Sequence, residues 1–184
     1  MKKALLIVLA VVVVLGLWAG SSYNRVVNLQ EGVNASWGQV ENVLQRRFDL
    51  IPNLVNTVKG YAAHEANVLE EVTRLRSQWG EAKTQDDKVK TAQGLEGALS
   101  RLMVVIEKYP DLKANENFLR LQDELSGTEN RIAVERKRYN EAVQQYNVSV
   151  RAFPGGVLAR IMGFTTHPYF EAPQNAQAAP VVQF

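Results

Sequence analysis

Residues 118–153 read FLRLQDELSGTENRIAVERKRYNEAVQQYNVSVRAF and carry a large apolar or aromatic side chain at every seventh position. A seven-residue spacing that persists over five heptads is typical of long helices with coiled-coil-like packing. We therefore predict one long helix from Ala114 to Phe153, stopped by the Pro-Gly-Gly sequence at 154–156. The repeating residues are Phe118, Leu125, Ile132, Tyr139, Tyr146 and Phe153.

Helical periodicity also runs through the sequence upstream of this stretch. A first helix should end near Asp49, because Pro52 suits the first turn of a following helix. A second helix should run to about Trp79 and a third up to Pro110, and Gly94 and Gly97 should let the third approach a neighbour closely. No strand pattern is visible, so the sequence predicts an all-α fold: an N-terminal transmembrane helix leading into a long antiparallel four-helix bundle over residues 23–153.

The N-terminus has the composition of a membrane segment. Two lysines are followed by an uncharged run from Ala4 to Gly20, which is near the lower limit for crossing about 30 Å of hydrocarbon. The alternative is a signal peptide cleaved after small residues such as Ala19, but the apolar run is long for that. We interpret residues 4–22 as an uncleaved anchor. The lysines favour a cytoplasmic N-terminus, residues 1–3, and a bundle outside the cytoplasm.

Composition narrows the classes of function. With 184 residues there is room for one domain and an appendage, which excludes a large multi-domain enzyme. Without Lys2 and Lys3, the 21 basic residues become 19 against 19 acidic ones, so we expect no nucleic-acid partner. The sequence has no cysteine and no phosphate-binding loop, nucleophile elbow or zinc-ligand spacing. We predict no enzyme activity, no cofactor, and no catalytic or metal-binding residue.

Several motifs resemble those of one protein family. They are RRFDLIPNL at 46–54, GYAAHE at 60–65, YPDLKANENF at 109–118 and TENRI at 128–132. Together, and in this order, they are similar to the LemA family over about residues 23–171. The resemblance implies a bacterial inner-membrane protein with a short anchor and a helical bundle, without an assigned activity. Some relatives are associated with the cell envelope and one branch with magnetosome membranes.

The resemblance also implies partners. LemA genes often lie near those for membrane proteases and other envelope proteins, so we expect contacts with the lipid bilayer, with envelope membrane proteins, proteases among them, and with further copies of the chain. The leading hypothesis is a non-enzymatic membrane-tethered scaffold. The alternative is an envelope receptor or enzyme that uses a bundle cavity lined by polar seam residues.

One group of polar residues allows two interpretations. His64, Glu65 and Glu129 would form a metal or proton site, or Glu65 would sit in a structural buried ion pair. The Glu-x-x-His spacing of di-metal bundles is missing, which favours the ion pair. When positions along antiparallel helices are compared at about 1.5 Å per residue, Glu65 is expected near Arg101 or Arg120, and Arg46 and Arg47 near Asp111.

Other polar residues fall on or near helix seams. Arg47, Glu129 and Arg136 would form an ion-recognition pocket, or simply fix helix register. The Tyr-Asn pairs at 23–24, 139–140 and 146–147 would bind a ligand, or pack as core tyrosines with a hydrated tip. His167 is expected to be an ordinary loop residue. Asn147 matches a glycosylation acceptor, but its place inside a helix argues against that role.

The C-terminal part divides in two. Residues 154–171 form an apolar stretch that either caps the bundle or, with the basic Arg136-Lys137-Arg138, meets the membrane interface. Residues 172–184 are rich in Ala, Pro and Gln, which predicts a disordered tail.

Overall fold

The computed structural model describes residues 2–62 and 64–171, and the regular structure in these ranges is entirely helical. The predicted all-α fold class is therefore confirmed, whereas the expected disordered tail, 172–184, lies outside the described residues. The helices are α1 (Lys2–Lys59), α2 (Ala66–Glu81), α3 (Gln85–Ile106), α4 (Pro110–Lys113), α5 (Glu116–Arg151) and α6 (Gly155–Ile161).

The described residues form two compact units. Unit 1 contains residues up to Gln39 together with Glu135–Phe170, and unit 2 contains Val40–Val134 with Glu171. Helices α1 and α5 each contribute one part to unit 1 and the other part to unit 2.

Unit 2 is a bundle of four long helical segments, from α1, α2, α3 and α5, together with the short α4. Indole Nε1 of Trp79 donates a hydrogen bond of 2.7 Å to the side chain of Gln45, and the Trp79 ring stacks on Phe48 at 4.5 Å. Arg101 of α3 pairs with Glu71 of α2 at 2.7 Å, and Lys88 of α3 pairs with Glu41 of α1. The first two contacts show that α2 is antiparallel to α1 and the Arg101–Glu71 pair that α3 is antiparallel to α2, so α3 runs parallel to α1. The largest fully buried core side chains are Leu44, Phe48, Ile51, Leu54, Leu95, Leu102, Leu112 and Phe118.

The predicted end of the first helix is wrong. Helix α1 continues through Pro52 to Lys59, and α2 begins only at Ala66. An internal proline removes a helical hydrogen bond and costs about 3 kcal/mol in an isolated helix. Here Phe48, Ile51 and Leu54, on either side of it, are all buried in the core of unit 2, and this packing offsets the cost.

Helix α5 agrees with the heptad prediction except at its end. The side chain of Asn115 accepts hydrogen bonds from the backbone N–H groups of Asn117 and Phe118, at 3.0 and 3.1 Å, and so fixes the start of the helix. Five of the six repeating residues, from Phe118 to Tyr146, are buried. Phe153 is 87% exposed, because α5 ends at Arg151, and its predicted place in the helix is wrong.

Unit 1 pairs the first part of α1 with the last part of α5. Trp37 of α1 packs against Tyr139 of α5 with ring centroids 5.7 Å apart. After α6 the chain returns along these helices, and the buried ring of Phe170 lies 6.5 Å from Trp37. Residues 165–170 therefore pack back along α1 and α5.

The N-terminal end of α1 has the properties of a membrane span. Its large apolar side chains are exposed, Leu17 at 72%, and α1 is long and apolar enough to cross a bilayer. Among the described residues it is the one helix that meets both conditions.

The two glycines of α3 differ. A Cβ at Gly94 would lie 2.9 Å from Cδ2 of Leu75 on α2, which confirms the predicted close approach. A Cβ at Gly97 would meet nothing within 4 Å, so the same prediction is wrong there. Gly97→Ala should therefore raise the free energy of unfolding by about 1 kcal/mol, because alanine is the better helix former.

Gly94→Ala is the matched control for Gly97→Ala, and it should gain less because the Leu75 side chain must move. Urea unfolding of the detergent-solubilised chain, followed by circular dichroism, measures both changes. A loss of stability in Gly97→Ala would contradict the expectation.

Candidate functional site

An open groove in unit 2 lies between α3 and α5 and reaches Arg47 of α1. Its volume is about 420 Å³. Seven of its ten lining residues have polar or charged side chains and three have apolar ones: Arg47, Glu96, Leu99, Ser100, Met103, Gln122, Leu125, Ser126, Glu129 and Asn130.

An ion pair joins two walls of this groove. Nη1 of Arg47 donates a hydrogen bond of 2.5 Å to Oε2 of Glu129. The Arg47 side chain is 9% exposed and that of Glu129 39%. Nε of Arg47 is buried and has no hydrogen-bond partner in the described part of the chain. The groove thus holds an ion pair and a second carboxylate, that of Glu96, beside hydroxyl and amide groups, a set suited to small polar ligands.

The sequence pattern predicted that Arg47 and Glu129 lie on helix seams, and the structure shows them paired. Arg136 is not in this groove, since its guanidinium lies in unit 1 over the ring of Phe170, 5.6 Å from the centroid. The prediction that Arg46 and Arg47 lie near Asp111 is wrong. Arg46 lies 4.0 Å from Glu124 instead. The prediction matched residues of neighbouring helices by their distance from a helix end at Asp49, and this match shifts because α1 continues to Lys59.

Glu65 does not form the predicted ion pair. It precedes α2, outside any helix, and its carboxylate accepts a hydrogen bond of 3.2 Å from the hydroxyl of Tyr109. Arg101 pairs with Glu71, and Arg120 donates to Asn117. Desolvation, then the hydrogen bond to Glu65 and its charge, raise the pKa of Tyr109. Within residues 2–62 and 64–171, no cluster of His, Asp and Glu is able to hold a metal ion.

The Tyr-Asn pairs at 139–140 and 146–147 form hydrogen bonds with residues 165–170, the segment that follows α6 in unit 1. The side-chain amide of Asn140 exchanges two hydrogen bonds with the backbone of Phe170, at 2.8 and 3.0 Å. That of Asn147 does the same with His167, both at 2.9 Å. We call these two asparagines, with Tyr139 and Tyr146, the latch.

The tyrosines of the latch extend the same pattern. The hydroxyl of Tyr139 donates to the carbonyl of Pro168 at 3.2 Å, and that of Tyr146 donates to the carbonyl of Thr165 at 2.9 Å. The polar groups that would have bound a ligand therefore hold residues 165–170. The signal in the sequence is the repeat of Tyr-Asn after seven residues, which puts both pairs on one face of α5.

The remaining polar predictions concern single residues. Tyr23 of the first Tyr-Asn pair lies 5.8 Å from the ring of Phe164 and takes no part in the latch. His167 lies outside the helices, as expected, with its ring 4.9 Å from Tyr146. Asn147 is buried inside α5 with its amide engaged, which agrees with rejecting it as a glycosylation acceptor.

Tyr146 makes the latch sensitive to alkaline pH. Burial raises its pKa, so the folded state favours the neutral phenol. Its contribution to stability is therefore present below about pH 10 and is lost as the pH rises through the folded-state pKa. We expect the free energy of unfolding to fall above that pH, and Tyr146→Phe to reduce the fall. Urea unfolding at pH 9 and 11 tests this, and equal slopes in both proteins would contradict it.

The chain is similar in sequence to several known proteins. Magnetosome protein MamQ 2 of Paramagnetospirillum magneticum is 30% identical over 81% of this chain, and MamQ of Magnetospirillum gryphiswaldense is 29% identical over 80%. The chain covers 64% of the length of each of these proteins. Protein LemA of Metamycoplasma hominis is 24% identical over 82% of this chain and 69% of its own length.

The family model of LemA proteins matches residues 36–184, well over half of the sequence. This range contains all the motifs on which the resemblance depended, and it also contains α2 to α6 and the latch. The chain belongs to the LemA family.

Proposed function

We propose that this chain is a non-enzymatic, single-pass membrane protein that presents a helical bundle outside the cytoplasm as a scaffold for envelope proteins. One observation supports this most directly: α1 is unbroken from Lys2 to Lys59. The same helix carries the exposed apolar segment and, further on, the buried core residues Val40 to Val58. The anchor and a bundle helix are thus one element, with no linker between them.

The surface of unit 2 supports a docking role. A groove of about 390 Å³ lies between α1 and α2, with Val55 and Leu69 in its apolar part and Lys59, Glu70 and Arg74 among its charged lining residues. A groove between two helices that combines apolar area with charges of both signs fits the face of an amphipathic helix. We propose that a helical segment of an envelope membrane protein occupies it.

Topology is the first test. The chain has no cysteine, so Val104→Cys on α3, an exposed position, gives a single thiol. A membrane-impermeant maleimide should label it in intact spheroplasts as strongly as after lysis. Labelling that appears only after lysis would place the bundle in the cytoplasm and overturn the proposal.

The groove is tested by crosslinking in cells. A photoreactive amino acid at exposed Glu70, inside the groove, should capture one discrete envelope protein. The matched control is Lys90 on α3, which is also exposed but does not line the groove. Equal capture at both positions, or none at Glu70, would contradict the groove assignment. Capture of a second copy of the chain would instead indicate self-assembly.

A second candidate function is a ligand receptor, and the open groove, with its ion pair and its hydroxyl and amide groups, favours it. The ligand would be a small polar molecule that forms hydrogen bonds with these groups. Calorimetric titration with a panel of small polyols and amides should show binding to the native chain and none to Arg47→Met. Equal heats in both proteins would remove this candidate without affecting the scaffold.

A further inference from the structure

We propose that α6, together with Phe153, is an interfacial foot that lies in the headgroup region of the bilayer crossed by α1. Every residue that carries this inference belongs to unit 1. It shares with the proposed function only the interpretation of α1 as a membrane span.

The first observation is that α6 turns its apolar side outward. Its buried positions are the small Gly156 and Ala159. Phe153, Val157 and Ile161 follow one another at four-residue steps and are 87, 56 and 78% exposed. A surface helix in water has polar side chains on its outer face, whereas a helix lying in a membrane interface has large apolar ones there.

The second observation is the level of the foot along α1. A cavity of about 230 Å³ is lined by Trp18, Ser22 and Arg25 of α1 and by Phe153 to Gly155 at the start of α6. Trp18 and Arg25 bracket the point where the apolar run ends at Gly20. The boundary between hydrocarbon and water is expected at this level, since interfacial aromatic residues such as Trp18 collect there. The exposed apolar residues of the foot therefore start beside the membrane surface.

The third observation is the charge around the foot. The sequence has no acidic residue before Glu31 and none between Glu141 and Glu171. Three arginines, Arg25, Arg151 and Arg160, are exposed in these stretches. A basic surface at the end of a membrane span complements the phosphates of lipid headgroups.

The foot is held in a fixed position. A Cβ at Gly156 would lie 2.7 Å from the carbonyl oxygen of Val150, so α6 packs directly on the end of α5. Downstream, the latch binds residues 165–170 along α5. With α6 secured at both ends, its apolar face cannot turn inward without breaking these contacts, and lipid is the apolar medium beside it.

The test uses spin labels on the full-length chain in vesicles of phosphatidylethanolamine and phosphatidylglycerol. Single cysteines replace Val157 or Ile161, with Leu9→Cys as the lipid reference. Lys137→Cys is the aqueous reference, since it is exposed on α5 and lies about 21 Å along the helix from Arg151. Relaxation by oxygen reports access from lipid, and relaxation by a water-soluble nickel chelate reports access from water. Labels at 157 and 161 should be about tenfold less accessible to nickel than the label at 137, and their ratio of oxygen to nickel access should lie between the ratios at 137 and at 9, since oxygen concentrates toward the bilayer centre.

Three results would overturn the foot. Nickel access at 157 and 161 equal to that at 137 would leave these residues in water. Low access to both reagents would mean that protein covers them, as in contact with a second copy. Nickel access at Leu9 would refute the span itself, and with it both the foot and the proposed function. A lipid-buried Leu9 beside hydrated 157 and 161 would refute the foot alone.

Discussion

Replacing Glu129 by alanine is expected to lower the free energy of unfolding by about 3 kcal/mol, whereas replacing its partner Arg47 by methionine should cost only about 1 kcal/mol. The more exposed partner is thus the more costly one to remove. Without Glu129, the guanidinium of Arg47 stays nine-tenths buried without this carboxylate, and its Nε already lacks a partner. Without Arg47, the partly exposed carboxylate of Glu129 is hydrated, and methionine refills the apolar space.

Urea unfolding of the detergent-solubilised chain measures both variants, and the double variant Arg47→Met/Glu129→Ala completes the cycle. The double variant should be more stable than Glu129→Ala alone, because it removes the stranded charge. Glu96 lines the same groove, so the pair of measurements is repeated in a Glu96→Ala background. A larger loss in Arg47→Met than in Glu129→Ala would refute this account of the pair.

The core of the bundle could be predicted from the sequence because burial repeats with the helical period. The apolar repeats of α3 and of α5 up to Tyr146 mark buried faces, and the structure confirms them. Pro52 was misleading for a physical reason. Its local effect on a helix is well defined, but the packing of Phe48, Ile51 and Leu54 depends on helices more distant in the chain and outweighs it.

The candidate site shows where such reasoning stops. Periodicity identified Arg47 and Glu129 as seam residues but paired Arg47 with Asp111, since pairing across 82 positions needs the true ends of the helices. Glu65 falls on an apolar stripe only if that helix is continuous, and the chain turns there. The latch was missed because its partners are backbone groups of an irregular segment, which leaves no side-chain pattern in the sequence.

The latch has the second large expected effect. Asn147→Leu should release residues 165–170 and raise their amide exchange rates by about a hundredfold, while the rest of α5 stays protected. The substitution removes both hydrogen bonds to His167 and leaves its N–H and C=O groups facing an apolar side chain. Two lost bonds together with unsatisfied groups cost about 3 kcal/mol, which is enough for a hundredfold change.

Hydrogen exchange with mass spectrometry resolves this segment from α5, and Asn24→Leu is the matched control. Asn24 also follows a tyrosine, but it is exposed and outside the latch, so its replacement should leave exchange in 165–170 unchanged. Unchanged exchange in Asn147→Leu would mean that apolar packing, chiefly of Phe170 beside Trp37, holds the returning chain by itself. Faster exchange confined to 165–170 would show that the two hydrogen bonds of Asn147 secure the segment that follows α6.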